Sequence, residues 1–382
     1  MKTLPDNPNL EHLRRQAKDL LAGLRDSNPA ATLADAQATL AAQYGFHGWP
    51  ALKAEVDRLQ GEPDVADPAL ARAIAERFDL GAVTGAMRSL ARPDEMGRRW
   101  ALDTATGRWA VRTVDGVYPP TDGEPDVALQ EAAATAGVVL PRPVRSGSGL
   151  VVEEIQGNRW RVHEWPHSGP PLSAPVGAVS CAAVGRILAT VHGLRLPADR
   201  ICGWHSVRLN PLGWADLAEK APAWAPLIEA ASDTLANLDQ LSTMEGDPEP
   251  PVFVHNSLIP GNVRLGRSDT LVVTGWEHAA GQPPSWELGE ALSHWAVDPN
   301  GGVNEVGARA LLDGYAEVAG GLPPVSEAMF RGTATSLANY VAGQVELALS
   351  TGDEYDGRSV AHLLTHLPDR AAFETLLAVA RG

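Results

Sequence analysis

The sequence predicts an α+β chain, and three observations predict it. Apolar residues recur at helical spacing over residues 8–60. Short β-prone runs with one inserted helix follow between residues 99 and 165. From Val176 onward the pattern is mostly helical and is broken by a single β interlude between Val252 and Trp276.

The elements follow in order. Leu10, Leu13, Ala17, Leu20, Leu21 and Leu24 mark a first helix, Asp35–Tyr44 a second, and Pro50–Leu59 a third with proline at its start. Gly61–Pro68 (GEPDVADP) reads as a linker, and a helix is expected over Pro68–Phe78. Strands are expected at Arg99–Leu102, Arg108–Val114, Leu150–Ile155 and Trp160–Trp165, with a helix at Val127–Ala136 ending on Gly137. The remainder reads as helices over 176–193, 212–243, 285–297, 304–319, 325–350 and 358–380. The interlude supplies strands at Val252–Val254, Asn262–Leu265 and Thr270–Trp276.

Composition narrows the function. The 382 residues are 44% hydrophobic and 20% charged, enough to bury a core. No apolar run suits a membrane span, and the polar start MKTLPDNPNLEHLRRQ has no signal core, so a cytoplasmic protein is expected. Cys181 and Cys202 make neither a disulfide framework nor a zinc site. The net charge of −16 disfavours nucleic acid and anionic membranes as partners. Residues 1–62 are near neutral, with 7 basic and 8 acidic side chains, so the rest carries almost all the excess. The only lysines are Lys2, Lys18, Lys53 and Lys220.

The interlude reads VFVHNSLIPGNVRLGRSDTLVVTGWEHA. It resembles the catalytic segment of the aminoglycoside phosphotransferase and choline kinase group, which runs H-G-D-x-x-x-x-N and then a strand ending in D-W-E. Other landmarks resemble that family in order. They are RWAVRTV at 108–114, the helix around Glu131, LPRPV at 140–144, VHEW at 162–165, VGRILATVHGL at 184–194 and SWELGEAL at 285–292. The resemblance covers about residues 70–382. It implies a bilobal kinase-like fold: a helical module over 1–62, a small β-rich lobe over 63–165 and a large, mostly helical lobe over 166–382. EHLRRQAKDLL and YGFHGWPALK resemble a helical module found in front of bacterial multidomain proteins, including ankyrin-repeat ones; the segment reads as an appendage packing on the main domain or as a docking module for a partner protein.

The chemistry departs from the family pattern. Ser257 stands where the catalytic aspartate belongs, and a serine hydroxyl is no base near neutrality; losing a positioned base costs about 10²–10⁴ in rate. Gly275 stands at the principal metal aspartate, leaving Asn262 and Glu277 as weak metal ligands. Arg112 replaces the phosphate-anchoring lysine, with Glu131 as the helix glutamate expected to pair with it. The loop ARPDEMGRRW puts Asp94 and Glu95 where phosphate would be cradled.

The resulting expectation is a degenerate phosphotransferase. Its cleft binds a natural-product-like small molecule or a peptide, or transforms it without ATP, and no cofactor is expected. The alternative is an active, antibiotic-modifying type of O-phosphotransferase using ATP and Mg²⁺ and a displaced carboxylate, with Glu277, Asp269 and Asp298 as candidates. A third reading is a non-enzymatic partner protein docking through residues 1–60. Ser257, His255, Glu277 and His278 are the catalytic candidates; Arg112, Glu131 and Asn262 would hold a nucleotide. Trp276, Trp286, His294, Trp295 and Asp298 would line the substrate side, while Glu287 and Glu290 are expected to cap or solvate a helix.

Overall fold

The computed structural model describes residues 4, 8–46, 48–59, 64–90, 99–115, 123–245, 249–298, 301–352 and 354–382. It opens with helices α1 (Leu10–Ser27), α2 (Leu33–Gln43) and α3 (Trp49–Leu59). The first two begin where a side chain can accept from the unpaired N–H groups of a first turn. Asn9 accepts from Glu11 and His12, and Thr32 with Asp35 forms a reciprocal capping box. Leu13, Ala17, Leu20, Leu40, Leu52 and Val56 close a small core between them.

This module packs directly on the rest of the chain. Gln16 and Gln43 donate to the Pro171 and Ala174 carbonyls at 2.7 and 2.6 Å. Asp26 accepts from the Ala178 N–H at 2.9 Å and from the Asn304 amide at 3.2 Å. The approach of α1 requires a glycine, because a Cβ at Gly23 would sit 2.1 Å from the Pro175 carbonyl oxygen.

Helix α4 (Pro68–Arg77) starts on the Asp67 cap with proline in its first turn. It covers a six-stranded antiparallel sheet built from β1 (Arg88–Ser89), β2 (Arg99–Thr104), β3 (Gly107–Thr113), β4 (Pro143–Val144), β5 (Glu153–Ile155) and β6 (Asn158–Glu164). The strand order is β1-β2-β3-β6-β4, with β5 also on β6. Strand alternation sorts the two faces. Leu102, Val111, Trp160 and Val162 pack with Ile74 and Phe78 in one core. Arg112 and Arg161, direct partners across β3 and β6, project from the other face. Helix α5 (Glu124–Thr135) joins β3 to β4 in sequence.

After β6 the chain runs as a linker through residues 166–177 into the large lobe. That lobe comprises α6 (Ala178–Gly193), α7 (Gly203–Ser206), α8 (Trp214–Lys220), α9 (Ala225–Ala230) and α10 (Ser232–Ser242). The strands β7 (Val252–Val254), β8 (Val263–Leu265), β9 (Leu271–Val273) and β10 (Ala280–Gln282) follow, then α11 (Pro284–Ala296), α12 (Glu305–Ala319), α13 (Arg331–Thr351), α14 (Glu354–Thr365) and α15 (Arg370–Arg381). The linker pairs with β8 through Gly169 N–H to Leu265 O and Leu172 N–H to Val263 O.

Several elements differ from expectation. The helix expected over 212–243 is three helices; Pro222 and Pro226 remove N–H donors at the break between α8 and α9, and a second break falls at Ala231 between α9 and α10. The one expected over 358–380 is split before α15, with Pro368 in the break. The strand expected at 150–155 is confined to Glu153–Ile155, and β1, β4 and β10 are too short to leave a periodic signal. Part of the linker read at Gly61–Pro68, and the loop holding Asp94 and Glu95, lie outside the described residues. Among the described residues no helix is long and apolar enough to cross a membrane.

Candidate active-site cleft

The cleft lies between the polar face of the small sheet and the loops around β8 and β9. On the sheet side Arg161 is held by Asp126 of α5 in a bidentate pair, with N–O distances of 2.9 and 2.7 Å. Both side chains are almost wholly buried, at 1% and 2% exposure. The helix register decides which acid faces the sheet. Asp126 and Gln130, one turn apart, point inward and bond to each other, whereas Glu131 is exposed and lies 3.7 Å from Arg145. The expected Arg112–Glu131 pair is therefore not formed. The helix-to-strand ion pair exists, but one strand over and with an aspartate.

Arg112 instead crosses the cleft and forms an ion pair with Glu277 of the large lobe. The two side chains are 16% and 6% exposed. Burial alone would raise the Glu277 pKa, but the Arg112 guanidinium, together with smaller contributions from His278, a backbone hydrogen bond and Arg161, outweighs it and holds the carboxyl far below the usual range. His278 adds to this from 3.6 Å and is partly exposed. Of the three displaced carboxylates considered, Glu277 alone faces the cleft. Asp269 sits on the exposed β8–β9 turn, and Asp298 closes a turn by accepting from the Gly302 N–H at 2.9 Å.

The loop after β7 carries His255, Ser257 and Asn262. His255 is fully buried, donates through Nε2 to the Thr274 carbonyl at 3.0 Å, and rests edge-on against Trp276. Burial lowers its pKa, so it is a neutral strut between the two site loops. No hydrogen bond joins it to Ser257 among the described residues, and no Ser–His pair is assembled. Asn262 donates through Nδ2 to both the carbonyl and the Oγ of Ser257, at 2.9 and 3.0 Å. Gly275 has φ of +87°, and a Cβ there would lie 2.5 Å from the Asn262 amide. The Asn262 side chain thus fills the space that an aspartate at 275 would need.

These residues do not suit a metal-bound nucleotide. The donor set for a hard cation shrinks to the Asn262 oxygen and to Glu277, which is already paired. Among the described residues no group of three His, Cys, Asp or Glu side chains could hold a metal ion.

On the far side of the loop, two expectations are corrected. Trp276 and Trp295 are core residues, 2% and 0% exposed, with indole N–H groups donating to the Val273 and Leu258 carbonyls at 3.0 and 2.7 Å. They anchor loops and offer no ring to a ligand. Trp286 is half-buried under the Arg331 guanidinium. Glu287 and Glu290 do not cap or solvate α11; both are buried. Glu287 accepts from the Asn256 N–H and lies 2.7 Å from His192 Nε2, whose other nitrogen meets the Tyr315 hydroxyl at 2.9 Å. That network holds Asn256 at φ of +61° immediately before Ser257.

Glu290 lies 3.2 Å from His205 and 4.0 Å from His294. Burial alone would lower the His205 pKa, but Glu290 and Cys202 together outweigh it and push the value up to about 10. A histidine whose folded pKa exceeds its unfolded value of about 6.5 stabilises fully below that pH and loses its contribution as pH rises toward 10. Urea unfolding of the native chain and of His205→Gln should therefore show a stability difference that shrinks between pH 6.5 and about 10. A difference constant with pH would contradict the assignment.

Sequence reasoning missed Asp126, Arg161 and the role of Glu287. The signal for Arg161 was present in WRVHE, where alternation puts Arg161 and His163 on one face and Val162 on the other.

A family model described as Phosphotransferase enzyme family matches residues 88–320 of the chain. Homoserine kinases are among its similar relatives. That of Xanthobacter autotrophicus is 27% identical over 265 residues, covering 67% of this chain and 78% of that protein. That of Methylorubrum populi is 27% identical over 257 residues, covering 66% and 77%. Solved structures agree in fold. A spectinomycin phosphotransferase in complex with ADP and spectinomycin gives a TM-score of 0.55 at 13% identity, over 82% of this chain and 99% of that one. An aminoglycoside phosphotransferase from Alicyclobacillus acidocaldarius gives 0.56 at 16% identity, over 84% and 97%. A choline kinase from Streptococcus pneumoniae gives 0.52 at 14%, over 78% and 99%. The chain has the bilobal kinase-like fold that its residue patterns imply.

Proposed function

Because the chain belongs to the phosphotransferase enzyme family, we propose that it is a member whose cleft has left ordinary ATP phosphotransfer and holds a small molecule instead. The observation that carries this reading is the Arg112–Glu277 pair. It joins the residue at the phosphate-anchoring position to the last carboxylate near the metal position, so each neutralises the other. Phosphoryl transfer needs a cation on the phosphates, carboxylate-held metal ions and a group that orients the nucleophile. Here Ser257 is tied to Asn262, Gly275 has no side chain, and Arg112 is engaged. What the residues do supply is a cleft face with a fixed neutral histidine, His255, beneath it and a partly exposed one, His278, at its edge.

The homoserine kinase relatives favour a second reading, an ATP- and Mg²⁺-dependent kinase of a small alcohol in which Glu277 releases Arg112 to take a metal. The partner-protein reading has less support, because α1 and α2 spend their buried glutamines on the linker of the same chain.

One assay separates the first two. The full chain is incubated with magnesium–ATP and homoserine, choline or spectinomycin, and phosphorus NMR follows phosphoester formation. The proposal expects no phosphoester above the enzyme-free control. Turnover of any of these alcohols would establish the kinase reading in its place.

A further inference from the structure

The linker between the lobes, PHSGPPLSAPVG at 166–177, cannot satisfy its own backbone. Pro166, Pro170, Pro171 and Pro175 have no N–H and block a helix, so its buried carbonyls need donors from elsewhere. It is held from two sides. On one side lies the large lobe. Gly169 and Leu172 donate N–H bonds to the Leu265 and Val263 carbonyls of β8 at 2.7 and 2.9 Å. The Arg264 guanidinium donates to the Gly169 carbonyl at 3.1 Å, and Val176 N–H reaches the Trp295 carbonyl of α11 at 3.4 Å.

On the other side lie α1 and α2. Gln16 and Gln43, 3% and 7% exposed, each give an amide to a linker carbonyl, Pro171 and Ala174. The Tyr44 hydroxyl steadies the first by donating to Gln16 Oε1 at 3.1 Å. Gly23 lies against the Pro175 carbonyl, and a Cβ on Gly177 would meet the Ala22 Cβ at 3.1 Å. Asp26 accepts from Ala178 and Asn304, and Asn304 also donates to the Val176 carbonyl at 3.2 Å. The held stretch stops short of the small lobe. Among the described residues Pro166, His167 and Ser168 form no hydrogen bond to α1, α2 or β8, and the Ser168 N–H turns back to the Pro166 carbonyl. Trp165 belongs to the small-lobe side, with the Arg108 guanidinium 4.2 Å from its ring centre.

We propose that α1 and α2 form a splint on the interlobe linker, which confines relative motion of the lobes to Pro166–Ser168 and so limits how far the cleft opens. A hinge is a few loop residues that absorb the φ/ψ change of a domain motion. With 169–178 pinned from both sides, only the three residues before it can do so. The hold also reaches the candidate site, because β8, the linker's other support, begins directly after Asn262. Loosening the splint frees the lobe angle and the strand behind the site together. The inference goes beyond the proposed function and does not depend on what the cleft binds.

Hydrogen exchange read by mass spectrometry compares the full chain with the double variant Gln16→Ala, Gln43→Ala. Peptides over 169–178 should exchange about tenfold faster or more, the effect of losing two neutral hydrogen bonds. The small sheet and α13 should keep their rates. Both native cysteines are buried, so spin labels go on Glu154→Cys and Val318→Cys, exposed positions in the small and large lobes. Their distance distribution should broaden in the double variant. If that variant does not fold, Gln43→Ala alone should show the same pattern with about threefold faster linker exchange. Unchanged linker exchange overturns the splint, as does a rise spread evenly over the chain. A faster linker with an unchanged distance distribution overturns it too, because α1 and α2 would then hold the linker without governing the lobes.

Discussion

Asp126→Ala is expected to lower the stability of the chain by about 3–5 kcal/mol, measured by urea unfolding. The substitution strands Arg161, whose side chain is 1% exposed, with two guanidinium nitrogens deprived of their acceptor. It also removes the oxygen that Gln130 bonds at 2.9 Å, so α5 loses its hold on the sheet. The loss comes from leaving a charge buried, not from the worth of the pair itself. Replacing both partners, as in Asp126→Leu with Arg161→Met, should therefore recover most of the stability. A single-variant loss below about 1 kcal/mol, the range of exposed pairs, would contradict the buried assignment.

Glu287→Ala should be comparably severe, again about 3–5 kcal/mol. Its carboxylate is the shared acceptor of His192 and of the Asn256 backbone, and all three groups are buried. Without it, a left-handed non-glycine residue loses its anchor directly beside Ser257. Glu287→Gln keeps one acceptor oxygen and should cost less, about 1–3 kcal/mol. Equal losses in the two variants would indicate that packing, not the hydrogen-bond network, sets the cost.

These two residues show where the sequence was readable and where it was not. The order of elements was legible because helical and strand periodicities differ and because caps such as Asn9, Thr32 and Asp67 mark their starts. The positions of Ser257, Asn262 and Gly275 were legible because a loop of fixed length separates them. Partners across the fold were not. Glu131 stood out by its place in the family pattern, but helix phase turned it to solvent and Asp126 inward. The tryptophans looked like ligand platforms because aromatic rings serve both roles. Only burial, with both Trp276 and Trp295 bonded to backbone carbonyls, distinguishes a loop anchor from a binding surface. Glu287 and Glu290 read as surface charges because charged residues are seldom buried unless paired, and their histidine partners lie on α6 and α7, far away in sequence.

The cleft chemistry turns on whether Arg112 and Glu277 neutralise each other or serve a nucleotide and its metal. Calorimetric titration of ATP with excess magnesium into the full chain asks this directly. The Arg112–Glu277 pair, with Gly275 and Ser257 beside it, predicts no saturable heat at nucleotide concentrations up to about 1 mM. Saturable, magnesium-dependent binding in that range would contradict it and would assign the cleft to an active kinase.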